Sequence, residues 1–306
     1  MALLTIPQTN IELPHIELPR VDPVANTRTL AMSLAPHDTI DYWRHPAVPE
    51  VELSQACFNH FSFDKHVHLD FHLGAVVQGA QDFVNKGTRF RLTRFDLSTL
   101  NPDETHDGQS VTDAGYQVKV MSVPVPMMRQ LADDMGLSSP YFAAPLAHSP
   151  LLHQQFVALH QQLISGHCSA LAAESLLMQF LQAVLERHGA PKQRSDVSHG
   201  LSRYQLAYIK QRFHDEPSQN VQLATLAQEV NLNKFQFLRQ FKLATGMAPH
   251  AYFKRVRLEY AKKSLLSGCK VTEVAQQLGF FDQSHLTKSF KQAFLLTPVQ
   301  FQRQMA

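Results

Sequence analysis

The last hundred residues of the chain contain the same order of apolar and polar positions twice. In each copy a short apolar-periodic segment, at 223–230 and 271–278, is followed by a second one, at 234–245 and 282–293. Apolar residues three and four positions apart mark one face of a helix. Between the two segments lies a residue that tolerates left-handed backbone, Asn231 in the first copy and Gly279 in the second. The pattern predicts two helix-turn-helix units.

Further helices are predicted around the two units, at 202–214 and at 249–267, with a short closing turn at 298–303. Pro249 suits the first position of the connecting helix at 249–267. A helix of that length spans roughly 28 Å, and one turn of DNA is roughly 34 Å. The spacing therefore predicts that the second helices of the two units enter successive major grooves of double-stranded DNA.

The second helix of each unit has an apolar face, formed by Phe237 and Phe241 or by Leu286 and Phe290, and an opposite polar face. Arg, Lys, Gln and Thr side chains match the edges of bases. The predicted base-contacting residues on this face are Lys234, Gln236, Arg239, Gln240, Gln283, Ser284, His285, Thr287 and Lys288.

Basic residues outside that face are predicted to contact phosphates, which position a protein on DNA without specifying sequence. These are Lys242, Arg255 and Lys291, with Lys254, Arg257, Lys262 and Lys263 of the connecting helix as further candidates. For the connecting helix the alternative is a solvated face or salt bridges within the domain.

The first half of the chain has a different pattern. Short β-like runs at 51–63, 67–77, 80–83, 90–97 and 116–125 are separated by Gly, Asn and Pro turn signals, which predicts a small β-barrel or sandwich. Helices are predicted at 126–136, 150–166 and 169–188. The apolar stripes of the last two either pack against the barrel or form a homodimer interface.

The chain is thus expected to be an α+β protein of two main parts. An irregular Pro-rich arm at 1–40 precedes a barrel domain with flanking helices at 41–188. A polar linker at 189–200 leads to an all-α domain at 201–306, in which a long helix joins the two helix-turn-helix units.

Charge is distributed unevenly between these parts. The net charge is +2, but from Gly200 onward 9 Lys and 6 Arg accompany only 6 acidic residues, a net charge of +9, which leaves −7 on residues 1–199. A basic domain on an acidic body is typical of nucleic-acid binding. Three scattered cysteines, no secretion signal and no apolar run long enough for a membrane span predict a cytoplasmic protein.

The segment at about 201–303 resembles the DNA-binding domain of the AraC/XylS family of bacterial transcription regulators. The resemblance rests on LAQEVNLNKFQFLRQFKLATGMAP, RVRLEYAKKSLLSG and VAQQLGFFDQSHLTKSFKQAFLLTP. It implies a further base contact by Phe235. One departure affects the second unit: Leu295 stands where the family usually has Gly before the final Thr-Pro, whereas the first unit keeps Gly246. The sequence pattern therefore does not determine the residue at which the second recognition helix ends.

A group of histidines lies in the predicted barrel. His66, His68 and His72 fall at even spacings on a predicted strand, which would project them to one face with Asp70, and His106 follows. The stretch at about 50–125 resembles the cupin barrel used as a sensor domain in many AraC-type regulators. In metal-binding cupins an HxH pair, an acid and a distant His hold the metal, and here His72 takes the place of the acid.

Three roles are open for His66, His68, His72 and His106: a site for Zn²⁺, Fe²⁺ or Ni²⁺, polar anchors for a small ligand, or structural hydrogen bonds. Because regulators of this family mostly lack a metal, we expect effector binding here, with no metal and no cofactor.

We therefore expect a transcription regulator, in the family's common mode an activator, with promoter DNA, a small-molecule effector and RNA polymerase as partners and no enzymatic activity. The homodimer would form through 150–188. The alternatives are a metal-dependent cupin enzyme fused to a DNA-binding tail and a constitutive dimeric DNA-binding module.

Overall fold

The computed structural model describes residues 38–166, 168–190, 201–219 and 221–305. Most of the predicted arm, residues 1–37, and most of the predicted linker, residues 191–200, lie outside the described residues. The domain boundaries proposed at 40, 188 and 200 stay predictions. All described residues belong to one compact unit of the chain at 34–306.

Two antiparallel sheets form the first part of the described chain. One sheet has the order β1-β2-β9-β4-β7-β10 and the other has the order β3-β8-β5-β6. The strands are β1 Thr39–Trp43, β2 Glu52–Phe58, β3 Phe63–His66, β4 Phe71–Gln78, β5 Gln81–Asn85, β6 Thr88–Leu92, β7 Asp96–Leu100, β8 His106–Ser110, β9 Tyr116–Val123 and β10 Leu146–His148. The predicted barrel or sandwich is confirmed.

Three helices cover the outer face of the six-stranded sheet: α1 Val125–Asp134, α2 Pro150–Ile164 and α3 Ala170–His188. Ser149 and Ser169 cap α2 and α3, each accepting a hydrogen bond from a backbone N–H of the first turn. The predicted apolar stripes, including Phe156 and Leu181, are buried in one core with β4 and β9. They pack within the chain, which is the first of the two alternatives that the pattern left open.

The second part of the described chain is helical: α4 Arg203–Asp215, α5 Leu223–Glu229, α6 Lys234–Thr245, α7 Pro249–Leu266, α8 Val271–Gln277, α9 Gln283–Phe294 and α10 Pro298–Met305. These bounds agree with the predicted segments to within two residues. Asn231 and Gly279 adopt left-handed backbone with φ of 57° and 67°, as the turns require. Phe237, Phe241, Leu286 and Phe290 are fully buried, as predicted.

The strand predictions were less accurate. The run at 90–97 was predicted as one strand, but it spans the end of β6, a turn and the start of β7, and Phe95 in that turn has φ of 104°. Strands β1, β3, β8 and β10 were not predicted. They are three to five residues long, and strands of that length give little alternation to detect.

Arg257 of α7 fastens the two helix-turn-helix units to each other. Its guanidinium donates hydrogen bonds to the carbonyl oxygens of Pro217 and Gln219 at 2.6 Å and of Gly279 at 3.3 Å. A Cβ on Gly279 would lie 2.3 Å from the Ser218 carbonyl oxygen, so the second turn approaches this segment as closely as only glycine allows. The segment before α5 and the turn of the second unit are therefore joined through α7.

Cys57, Cys168 and Cys269 form no disulfide. No helix among the described residues combines the length and apolar character needed to cross a membrane.

Candidate functional site

The predicted DNA-contacting faces of α6 and α9 are open to solvent. Phe235 is 84% exposed on α6. Exposed side chains on these faces also include Lys234, Gln236, Arg239, Lys242, Gln283, Ser284, His285, Lys288 and Lys291, while Gln240 and Thr287 are half-buried. Two exposed side chains contribute locally: Gln236 accepts a hydrogen bond from the Asn233 N–H, and His285 Nδ1 accepts one from the Phe281 N–H at 3.4 Å.

Both recognition helices end in the same way despite different residues. Gly246 after α6 has φ of 74°, and Leu295 after α9 has φ of 64°. Each donates its backbone N–H to the carbonyl oxygen four residues earlier, at 2.8 Å. The leucine therefore does not change where α9 ends, and it adopts the left-handed backbone that glycine adopts in the first unit. Its side chain packs against the apolar cluster inside the barrel.

One face of α7 is packed against the barrel domain. Lys262 donates a hydrogen bond to Glu52 of β2 at 2.5 Å, and both side chains are buried. Arg255 donates to the Val67 carbonyl oxygen at 3.1 Å and pairs with Glu259 at 2.7 Å. This corrects the assignment of Arg255 to DNA phosphate: in this arrangement its guanidinium is buried between the domains. Lys262 is excluded from phosphate for the same reason.

Contacts at the edges extend this domain interface. Lys263 pairs with Asp70 at 3.1 Å, and Lys210 of α4 pairs with Asp103 at 2.6 Å. At the other end, the Tyr42 ring lies edge-on to Phe301 of α10 at 5.1 Å. The helical domain thus contacts the barrel through α4, α7, the end of α9 and α10.

A cavity of about 870 Å³, including its opening to solvent, lies inside the barrel. Aromatic and aliphatic side chains line most of it, among them Phe58, Phe83 and Tyr116, and helices α7 and α9 close one side with Arg255, Lys262 and Phe294. Trp43, Phe71 and Phe95 are not part of this wall. Trp43 and Phe71 belong to the core beneath the helices, and Phe95 is exposed.

His66, His68, His72 and His106 all line this cavity. Ring centroids are 4.3 Å apart for His66 and His106, 5.1 Å for His68 and His106, and 3.7 Å for His68 and His72, which stack. The structure thus gathers the four predicted residues at one place.

The route by which the histidines meet differs from the prediction of a single strand. His66 ends β3 and is paired with His106 of β8, His68 lies between two strands, and His72 is on β4. Asp70 is not on their face, because the chain turns there and its carboxylate pairs with Lys263 on the outside. The even spacing of the three histidines therefore does not reflect a shared strand, because a turn between β3 and β4 separates them.

Each of three histidines has its Nδ1 next to an oxygen. Nδ1 of His66 lies 2.7 Å from the Asp64 carbonyl oxygen, and Nδ1 of His106 lies 3.1 Å from that of Glu104. Nδ1 of His68 lies 3.4 Å from a carboxylate oxygen of Glu259, on α7. A carbonyl oxygen only accepts, so Nδ1–H is the donor in His66 and His106 and their Nε2 atoms are unprotonated in the neutral ring.

The cluster is held in its neutral form. Burial lowers the pKa of His72 to about 3, with His106 and Lys262 adding to the shift. Burial also lowers the pKa of His106 to about 4, against the opposing effect of the hydrogen bond to the Glu104 carbonyl oxygen. The pKa values of His66 and His68 lie well below the ordinary value, first because of burial and then because of the adjacent histidines.

At the interface, Lys262 and Arg255 of α7 pair with the carboxylates of Glu52 and Glu259. The pKa of Glu259 lies below its usual value because Arg255 and Lys262 outweigh the effect of burial. The pKa of Lys262 is raised because Glu52, together with Tyr42 and Glu259, outweighs burial. The interface therefore contains two charge-balanced pairs rather than a free basic surface.

Comparison with known proteins identifies both parts of the chain. Residues 48–181 match the family model of the AraC-like ligand-binding domain, and residues 226–304 match that of a helix-turn-helix domain. The chain belongs to the AraC family of transcription regulators. The expected family and fold class are thereby confirmed.

Curated relatives are transcription regulators as well. The AraC-family chain is 26% identical over 262 residues to the uncharacterized HTH-type transcriptional regulator YbfI of Bacillus subtilis, covering 85% of this chain and 90% of that protein. It is 30% identical to MtrA of Neisseria gonorrhoeae and to the activator RhaS of Escherichia coli, over 43% and 45% of their lengths. The chain thus spans less than half of the latter two.

Solved structures of ToxT from Vibrio cholerae show a similar fold. An apo form of a ToxT variant matches with a TM-score of 0.54 at 14% identity, covering 88% of this chain and 97% of that one. ToxT bound to an unsaturated fatty acid matches with a TM-score of 0.52 at 14% identity, covering 88% and 95%. The order of a β-rich domain followed by a helical one is common to both.

The interface residues Glu52, Arg255, Glu259 and Lys262 were not recognised from sequence as a group. Their signal was present: positions 255, 259 and 262 follow the spacing of one helix face. A mixed acidic and basic face fits an ion-paired interface better than a phosphate-binding surface, because a glutamate repels phosphate.

Proposed function

We propose that the protein is a cytoplasmic transcription activator whose affinity for promoter DNA depends on a small molecule bound in the barrel cavity, and that it is not an enzyme. The observation that supports this most directly is the shared wall of the cavity. Arg255, Lys262 and Phe294 of the DNA-binding domain line it together with the four histidines of the barrel.

DNA binding is proposed for the exposed faces of α6 and α9. Base contacts are assigned to Lys234, Phe235, Gln236, Arg239, Gln240, Gln283, Ser284, His285, Thr287 and Lys288. Phosphate contacts are assigned to Lys242 and Lys291. Helix α7, 18 residues long, spans roughly 27 Å, which suits two successive major grooves.

The effector acts through its differential affinity for two arrangements of the domains. A ligand that contacts both the barrel and α7 or α9 binds the docked arrangement more tightly or more weakly than an undocked one. It shifts the equilibrium between them by that difference, and DNA binding shifts it reciprocally.

The lining suggests a small effector with an apolar body and one polar end. The body would contact Phe58, Phe83 and Tyr116, and the polar end would face the imidazoles and the interface charges. ToxT has been solved with an unsaturated fatty acid bound, which is consistent with an apolar ligand in this fold.

Homodimerisation through the outer face of α2 and α3 and contact with RNA polymerase complete the proposal. The apolar stripes of these helices are buried within the chain, so a dimer would use exposed residues such as Leu151 and Leu171, which are 45% and 75% exposed. Sedimentation of wild type against a Leu171→Glu variant tests this: an unchanged mass would contradict it.

The DNA interface is tested by footprinting and affinity measurements on DNA flanking the protein's own gene. Arg239→Ala and Lys288→Ala should each weaken specific binding by about 1–3 kcal/mol at fixed salt if they contact bases. Lys65→Ala, which removes an exposed lysine of the barrel, is the control and should leave affinity unchanged. A uniform loss on all sequences would make these residues phosphate contacts, and no loss would refute the assigned faces.

The effector is tested by screening metabolites for a change in both thermal stability and DNA affinity of the full chain. The proposal requires a compound that changes both. If bound compounds stabilise the protein and leave DNA affinity unchanged, the barrel is not a sensor and the constitutive module is correct.

A further inference from the structure

Three histidines of the cavity have the arrangement of a metal-binding site. One ring nitrogen each of His66, His68 and His106 lies within 4.8 Å of the other two, and within the described parts of the chain this is the group of His, Cys, Asp or Glu that meets this condition. A tetrahedral ion with metal–nitrogen distances of about 2.0–2.1 Å needs nitrogens about 3.4 Å apart. Each imidazole would move by about 0.8 Å or less.

The hydrogen bonds around the cluster orient these rings as metal ligands are oriented. A ligating histidine donates its other ring N–H to a carbonyl or carboxylate, which fixes the ring and the tautomer. Asp64 and Glu104 supply carbonyl oxygens for His66 and His106, whose Nδ1 atoms are thereby engaged and whose Nε2 atoms are left for an ion in the cavity. For His68 the nearest such group is the Glu259 carboxylate, whose Oε1 has no hydrogen-bond partner and lies 3.4 Å from Nδ1.

We propose that His66, His68 and His106 bind one divalent transition metal ion, of the Zn²⁺, Co²⁺ or Ni²⁺ class, through their Nε2 atoms. Imidazole nitrogen suits these ions better than Mg²⁺ or Ca²⁺, which prefer oxygen. With three protein ligands, a fourth position stays open toward the cavity for water or an oxygen of the effector. His72, stacked on His68, supports that ring from the side.

The third orienting group belongs to the DNA-binding domain. Glu259 is on α7, so a metal ion that binds His68 is linked through one carboxylate to the helix that joins the two helix-turn-helix units. Docking of that domain would strengthen metal binding, and by reciprocity metal binding would favour docking. The inference uses the same cavity as the proposed function but not its effector.

The site is tested on the full chain, purified without an affinity tag and dialysed against chelator, by titration with Co²⁺. We expect one equivalent per chain with the visible absorption of a tetrahedral cobalt ion, abolished by Zn²⁺. Failure of the wild-type protein to bind one equivalent in this way would overturn the proposal, whatever its DNA affinity. Conversely, metal binding without any effect of metabolites on DNA would contradict only the proposed function.

Variants assign the ligands. His66→Gln and His106→Gln should each lower Co²⁺ affinity at least tenfold and remove the tetrahedral absorption, with circular dichroism to confirm folding. His153→Gln is the matched control, since His153 is buried in the same domain and bonds one carbonyl, that of Val76 at 3.0 Å. Equal affinity in folded His106→Gln and in the control would overturn the site.

The link to α7 is tested by two variants that break the same ion pair. Glu259→Gln removes the carboxylate beside His68 and should lower Co²⁺ affinity about tenfold, as loss of such an orienting group does. Arg255→Gln also breaks the Arg255–Glu259 pair but keeps the Glu259 carboxylate beside His68, so its loss of Co²⁺ affinity should be smaller than that of Glu259→Gln. Equal losses in both variants would overturn the coupling to α7.

Discussion

At the scale of single residues, Leu295 shows how one side chain can be retained in an unfavourable backbone conformation. Left-handed backbone costs a residue with a Cβ about 1–2 kcal/mol relative to glycine. Leu295 takes it with φ of 64°, and its side chain packs on the barrel cluster. The packing between domains therefore offsets local strain, which the first unit avoids with Gly246.

Substitutions at 295 and 246 should separate strain from packing. Leu295→Ala and Leu295→Gly both remove the packing, so we expect the glycine variant to be more stable than the alanine variant by about 1 kcal/mol. Gly246→Ala should also lower the free energy of unfolding by about 1 kcal/mol, because left-handed backbone is strained in a residue with a Cβ. The added Cβ would meet Thr105 at 3.5 Å, an ordinary contact, so no clash adds to this cost. Urea denaturation measures all three, and equal stability of the two 295 variants would contradict the strain.

The buried histidines predict a pH dependence of stability. Their pKa values are lower in the folded chain than in the unfolded one, with His72 at about 3 and His106 at about 4. Below about pH 6.5 the unfolded chain therefore binds more protons, so the free energy of unfolding falls as pH drops. Each such histidine contributes a slope of about 1.4 kcal/mol per pH unit.

Urea denaturation of metal-free protein between pH 6.5 and 4.5 tests this. His106→Gln should reduce the slope by about 1.4 kcal/mol per pH unit in that range. The exposed His250→Gln is the control. A slope in His106→Gln that equals that of the wild type would show that His106 is protonated in the folded protein.

At the scale of elements, α7 has three roles on different faces. It spaces the two recognition helices, it is ion-paired with the barrel through Lys262, and through Arg257 it holds the 217–219 segment and the Gly279 turn. A helix with three packed faces shows weak amphipathic periodicity, and for this reason its partners could not be identified from the pattern alone.

Arg257→Lys should distinguish a structural role from a phosphate contact. Lysine keeps the charge but cannot reach the carbonyl oxygens of Pro217, Gln219 and Gly279 together, so we expect the free energy of unfolding to fall by about 1.5–3 kcal/mol. Lys254→Arg, an exposed exchange on the same helix, is the control. Unchanged stability with weaker DNA binding would instead identify a phosphate contact.

At the scale of the whole molecule, the buried pair Glu52–Lys262 joins segments 210 residues apart in the chain. Breaking such a pair by removing one partner typically costs about 3–5 kcal/mol, because an uncompensated charge stays buried. The pair therefore makes docking of the DNA-binding domain sensitive to any change in cavity charge.

Glu52→Gln should expose this sensitivity. We expect a loss of about 3–5 kcal/mol in the free energy of unfolding or of docking, with reduced amide protection in α7 by hydrogen exchange. The exposed Glu50→Gln is the control, and adding Lys262→Met to Glu52→Gln should restore most of the loss. If Glu52→Gln behaved like Glu50→Gln, the pair would not hold the domains together.

The sequence by itself determined the double helix-turn-helix domain. Its signals are local: buried positions at helical spacing, and Asn231, Gly279 and Pro249 at turns and helix starts. Such signals depend on neighbours within a few residues, so the pattern placed the elements to within two residues.

Only the tertiary structure decided how the histidines meet and which basic side chains of α7 face the barrel. His66 meets His106 through the register of β3 with β8, and Arg255 faces Val67 instead of DNA because α7 docks on the barrel. Both depend on contacts between residues far apart in the chain. A one-residue change in register would alter the cluster while leaving the local sequence pattern the same.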